Sequence, residues 1–94
     1  MDKVNIDGVE CDGVHIATGK SNLLLLRGRN GMVGCGYFDI ATANRLGEAF
    51  VIVRGVKNYD DMLNASAAQV SEAAGALGIQ VGMKGREVMA RLNG

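Results

Sequence analysis

Residues 28–39 read Gly28-Arg29-Asn30-Gly31-Met32-Val33-Gly34-Cys35-Gly36-Tyr37-Phe38-Asp39, and this stretch decides the fold. Asn30-Gly31 signals a hairpin, because both residues tolerate the positive φ that a tight turn demands. Met32–Phe38 then reads as a strand. Val33, Cys35 and Tyr37 share one face; Met32, Gly34, Gly36 and Phe38 share the other. Two glycines on one face leave bare backbone, which predicts close approach by a helix, a partner subunit or a ligand. Asp39 suits a helix N-cap and closes the stretch.

Upstream, Leu23–Leu26 is a continuous apolar run that pairs with Met32–Phe38 as a strand covered on both faces. Further back, residues 3–17 alternate. Asp7-Gly8 is the turn between two strands, and Gly13 is read as a bulge or phase shift in the second. Downstream, Ile40, Ala43 and Leu46 share a helix face and Gly47 supplies the C-cap. Ala49–Val53, apolar and β-branched, is placed centrally and parallel to Met32–Phe38, as a right-handed βαβ unit requires. Asn58 caps a helical turn at Tyr59–Leu63, and a short edge strand lies within 64–70. A helix over Ser71–Leu77 aligns Val70, Ala73, Ala74 and Leu77. Ile79–Val81 is extended. A last helix aligns Gly85, Val88, Met89 and Leu92. The fold class is α/β in the broad sense (α+β): a mixed, mostly antiparallel sheet with an N-terminal β-hairpin and three short helices. One domain spans 1–94, with a β region at about 1–38 and an α/β part at about 39–94.

Composition narrows the function classes. Ten basic and ten acidic residues give zero net charge. Residues 1–48 carry five basic and six acidic groups, and residues 49–94 carry five and four, so neither half is drawn to nucleic acid by bulk charge. Two Tyr, two Phe and no Trp leave few platforms for stacking bases. No apolar run approaches a membrane span, and no signal-peptide pattern opens the chain. One His and two distant cysteines make no metal cluster. The expected setting is the cytoplasm, with reduced thiols. Proline is absent and glycine numbers 14, so sharp turns fall to Gly, Asn and Asp.

The βαβ unit brings Asp39 and the helix start to the carboxyl edge of the sheet, beside Arg54, Gly55 and Lys57. Ligands of α/β sheets gather at such edges. Gly36, Asp39, Arg54, Gly55 and Lys57 are therefore candidate binding residues for a carboxylate or phosphate. The competing reading has Asp39 cap the helix and pair with Arg54. Cys35, flanked by glycines, is a candidate nucleophile with Asp39 and Arg54, or else a small buried hydrophobe. His15 reads as a surface or interface histidine, and Asp60-Asp61 as partners of a helix dipole. Neither Gly28–Gly36 nor Gly82–Arg86 has the spacing of a dinucleotide or phosphate loop, so no cofactor is expected.

Leu23–Gly28, Gly34–Asp39, Arg54–Lys57, Asp61–Ala65, Ala74–Ile79 and Gly82–Glu87, in this order and spacing, resemble the YunC-like family of small bacterial and archaeal proteins. The resemblance implies an α/β fold whose N-terminal β region assembles subunits, as a tetramer, and it implies no activity. Self-association also follows from the residues, because Leu23–Leu26 and Ala49–Val53 are apolar on both faces and short helices cover one. Two function classes stay open. One is a homo-oligomeric module that binds a small ligand or a protein; the other is a small enzyme using Cys35, Asp39 and Arg54.

Overall fold

In the computed structural model, which describes residues 1–94, the chain first reverses at Asp7 and Gly8, whose φ angles are 52° and 88°. Two central residues with positive φ match the twist of the flanking strands, β1 (Asp2–Ile6) and β2 (Val9–Ala17). Next come β3 (Asn22–Arg27), β4 (Met32–Gly34), α1 (Ile40–Leu46), β5 (Phe50–Ile52), α2 (Tyr59–Asn64), β6 (Gln69–Val70), α3 (Glu72–Ala76) and α4 (Gly85–Leu92). The six strands form one sheet in sequence order. Only β4 and β5 are parallel, with α1 as the crossover. The expected fold class therefore holds, with one helix more than expected. Tyr59–Asn64 is a full element because the Asn58 side chain accepts from Asp61 N.

Gly13 is not a bulge. Its register runs unbroken from Asp2 on one side to Leu26 on the other. Glycine is needed there because a Cβ would stand 2.7 Å from the ring of Tyr59. The Asn30-Gly31 reversal is a four-residue loop, with Gly28 N donating to Gly31 O and neither central residue at positive φ. The strand expected over 32–38 ends at Gly34. Phe38 N donates to Cys35 O, and this turn swings the Phe38 ring back over the bare backbone of Gly34. A Cβ on Gly34 would lie 2.6 Å from Phe38 and 2.7 Å from Phe50. The close approach foreseen at Gly34 thus comes from the chain's own aromatic rings.

The sheet has helices on both faces. On the inner face Leu24, Leu26, Val33 and Val51 pack with Met62 and Leu63 of α2, Ala74 of α3, and Val88, Met89 and Leu92 of α4. Each buried Val, Leu or Met side chain among them contributes about 1.5–3 kcal/mol. On the outer face α1 sets Ala43 over Phe50 and Ile52. β5 is buried on both faces, yet it lies second from the edge, beside the two-residue β6. Leu77, expected on the buried face of α3, is 40% exposed; Ile79 fills that place after the left-handed Gly78. The single helix α1 covers β4 and β5 only. The cross-strand pairs Val14–Leu25 and Ile16–Leu23 carry no helix on the outer face, and Ile16 is 55% exposed.

Candidate functional site

β4 and β5 run parallel and end level, with Gly34 beside Ile52, and Val53 N still donates to Gly34 O. Two loops leave this edge together: Cys35–Tyr37 from β4 and Arg54–Lys57 from β5. β3 is antiparallel to β4, so its beginning, Ser21–Asn22, reaches the same place. The three segments enclose an open pocket of about 390 Å³. Its size falls in the range of small-molecule sites, and its position is where α/β sheets bind ligands.

Of the residues picked from sequence, Cys35, Gly36, Arg54, Gly55 and Lys57 line this pocket, and Asp39 does not. Asp39 caps α1. Its Oδ1 accepts from Ala41 N at 3.2 Å and its Oδ2 from the Thr42 hydroxyl at 2.9 Å. It borders a separate groove between α1 and the outer face. The expected Asp39–Arg54 ion pair does not form. The guanidinium of Arg54 reaches Gln69 Oε1 instead, at 3.3 Å, and lies over Gly36, where a Cβ would be 3.1 Å from Nη1. The ion pairs of the chain join Lys3 and Arg27 to Asp12, and Arg86 to Asp7, so both Arg54 and Lys57 are without a carboxylate partner. No acidic residue lines the pocket.

The main chain adds donors. The N–H groups of Gly36, Tyr37, Arg54, Gly55 and Val56 donate to no acceptor in the chain. Lys57 N, by contrast, is taken by Asp61 Oδ2 at 2.9 Å. Gly55 has φ 72°, a left-handed residue in the middle of three successive free N–H groups. Such runs of backbone donors form anion-binding concavities.

Cys35 is 4% exposed, and its thiol is occupied. The sulfur accepts from Leu24 N at 3.4 Å and donates to Asn22 O at 3.8 Å. His15 is exposed; its Nε2 lies 2.9 Å from Asn22 Oδ1, and its ring meets Tyr59 edge-on. Asp60 and Asp61 sit in the first turn of α2, where they suit the helix dipole. No three His, Cys, Asp or Glu side chains come together as a metal site. The sequence reading missed Ser21, Asn22, Tyr37 and Val56. Ser21 and Asn22 gave no local signal, because only the β3–β4 pairing brings them to the edge. Val56 lies between two residues that were picked.

Three comparisons bear on this geometry. The sequence model of a family described as a domain of unknown function, DUF1805, matches residues 34–92, which include both loops of the sheet edge. The uncharacterized protein YunC of Bacillus subtilis is 32% identical over 93 residues, covering 95% of this chain and 92% of YunC. The crystal structure of a protein of unknown function from Thermoplasma acidophilum is similar at a TM-score of 0.92 and 35% identity. That match covers 98% of this chain and 90% of the other.

Proposed function

Given that the chain belongs to the DUF1805 family, whose members have no assigned activity, we propose that it is a self-associating module that binds a small ligand at the carboxyl edge of β4 and β5. The observation that carries this reading is the convergence of Cys35–Tyr37, Arg54–Lys57 and Ser21–Asn22 on one pocket holding two cations without acidic partners. The enzyme reading, through Cys35, Asp39 and Arg54, is weaker on two grounds. Asp39 faces another groove, and the Cys35 thiol is held by Leu24 and Asn22. Both cysteines are free and buried, which suits a reducing cytoplasm.

The occupant of the open outer face is a second copy of this chain, and the assembly is a tetramer through the N-terminal β region. The Val14, Ile16, Leu23 and Leu25 block continues into the apolar groove beside α1, lined by Met32, Phe38 and Leu46. At its border, Lys3 and Arg27 both pair with Asp12, so most of the charge beside the block is matched within each copy.

Two experiments test the reading. A fragment screen read by amide chemical shifts will move Gly36, Tyr37 and Gly55; a screen in which no compound moves them overturns the binding site. Alkylation of Cys35 by iodoacetamide will be slow, as for a buried thiol, whereas rapid alkylation restores the enzyme reading.

A further inference from the structure

We infer that the ligand of this pocket is a small organic phosphate monoester, its phosphoryl group held between Arg54, Lys57 and the free N–H groups of residues 36–37 and 54–56. The inference rests on the binding reading above and names the chemistry of its ligand.

Charge comes first. A phosphate monoester carries about −1.5 to −2 at neutral pH. The pocket offers two cations and no acidic side chain, so a dianion neutralises it and a neutral ligand leaves both charges uncompensated. Arg54 also has neighbours that orient it. Its Nη2 meets Gln69, and its Nη1 lies over Gly36, which gives way to it by having no side chain. With one Nη on Gln69, the planar fork keeps further N–H donors for a bound oxyanion.

Donor count comes second. A carboxylate offers two oxygens and about four lone-pair sites. The pocket residues hold five free backbone N–H groups besides the guanidinium and the ammonium. Three terminal phosphoryl oxygens use more of them. Val56 belongs to the same run: its side chain is buried in the core, and its N–H donates to nothing in the chain.

Size comes third. At about 390 Å³ the pocket is several times larger than a phosphoryl group, and Tyr37, Cys35 and Asn22 also line it. Inorganic phosphate alone leaves most of that space unfilled, so an organic portion belongs to the ligand.

The test titrates glycerol 3-phosphate, inorganic phosphate, acetate and glycerol into the 15N-labelled full chain at constant ionic strength. Saturable shifts at the amides of Gly36, Tyr37, Arg54, Gly55 and Val56 are expected with glycerol 3-phosphate. Inorganic phosphate should bind the same amides more weakly, and glycerol should move none of them. Arg54→Ala and Lys57→Ala should each weaken glycerol 3-phosphate binding about tenfold or more, as loss of a hydrogen bond to a charged group does. Both positions are exposed, so the variants should keep the amide dispersion of the native fold. Lys84→Ala, away from the pocket, should leave affinity unchanged. Acetate binding as tightly as glycerol 3-phosphate overturns the phosphate assignment. Weak, non-saturating shifts spread over the surface and indifferent to Arg54→Ala overturn it as well. Neutral fragments that move these amides while no anion does sink the anion class and leave the pocket reading standing. If neither kind of compound moves them, both readings fall.

Discussion

Gly36 and Arg54 divide one space between them: a Cβ on residue 36 would stand 3.1 Å from Nη1 of Arg54. The missing side chain lets the guanidinium lie across the ends of β4 and β5. Gly36→Ala therefore moves the tip of a flexible side chain by a few tenths of an ångström. Stability measured by urea unfolding should change by less than about 0.5 kcal/mol, as for other surface changes. Glycerol 3-phosphate affinity should fall several-fold. Unchanged affinity would mean that the position of Arg54 over Gly36 does not matter to the site.

Asp39 tests how far the site extends. Its carboxylate serves Ala41 N and the Thr42 hydroxyl, both within α1. Asp39→Ala should cost about 1 kcal/mol and Asp39→Asn far less, because Asn also caps helices. Ligand affinity should be the same in both. Equal large losses of stability in thermal melts would instead point to an ion pair, which the Arg54 geometry does not contain.

Two other glycines separate side-chain from backbone crowding. Gly34→Ala presses a Cβ against the Phe38 and Phe50 rings, 2.6 and 2.7 Å away. Gly85→Ala drives one into the carbonyl oxygen of Met62, a main-chain atom of α2. Both overpack the interior, at about 1–3 kcal/mol. Gly85→Ala should be the costlier, since a helix backbone yields less than two rings. Denaturant midpoints that rank them the other way would show that α4 moves away from α2 freely.

The sequence made most of the architecture readable, because local chemistry and tertiary structure agree there. Asp7-Gly8, Asp39, Asn58 and Gly47 each act where their residue types suggest. The Gly85, Val88, Met89 and Leu92 stripe is buried as its spacing implies. The failures are places where a distant residue decides. Gly13 looked like a bulge because nothing local announces the Tyr59 ring above it. The strand at Met32 stops early because Phe38 folds back on Gly34, which alternation cannot express. The site was half legible. The βαβ unit placed Cys35, Gly36, Arg54, Gly55 and Lys57 at one edge. The direction in which Asp39 faces depends on the turn at Cys35–Phe38, and periodicity says nothing about it.

Asp12 gives a pH dependence. Lys3 first, then Arg27, hydrogen-bond its carboxylate at 2.6 Å each, and they hold its pKa down at about 2 against an ordinary 3.8. The folded value lies below the unfolded one. The stabilisation is thus complete well above the ordinary value and is lost as pH falls through about 2. The difference in melting temperature between wild type and Asp12→Asn should be constant from about pH 5 to 7 and should narrow below about pH 4, to a small remainder at about pH 2. A difference as large at about pH 2 as at neutral pH would assign the effect to something other than the carboxylate charge. Added salt should narrow the gap at neutral pH, because the residues are solvent-accessible.

Self-association has its own test. Light scattering should return four times the 9.9 kDa chain mass at micromolar concentration. A stable assembly of this kind buries on the order of 2,000 Å² or more. Ile16→Asp places a charge in the middle of the open apolar block and should dissociate the assembly while leaving the circular dichroism of the fold intact. A wild-type monomer would contradict the proposal outright.

A crystal structure of the full chain grown with glycerol 3-phosphate tests the central claim most directly. The account predicts a phosphoryl group within hydrogen-bond distance of the Arg54 guanidinium and of at least two N–H groups among Gly36, Tyr37, Arg54, Gly55 and Val56, with the glycerol carbons toward Tyr37. A phosphoryl group bound elsewhere on the chain, with this pocket holding only water at saturating ligand, would contradict it.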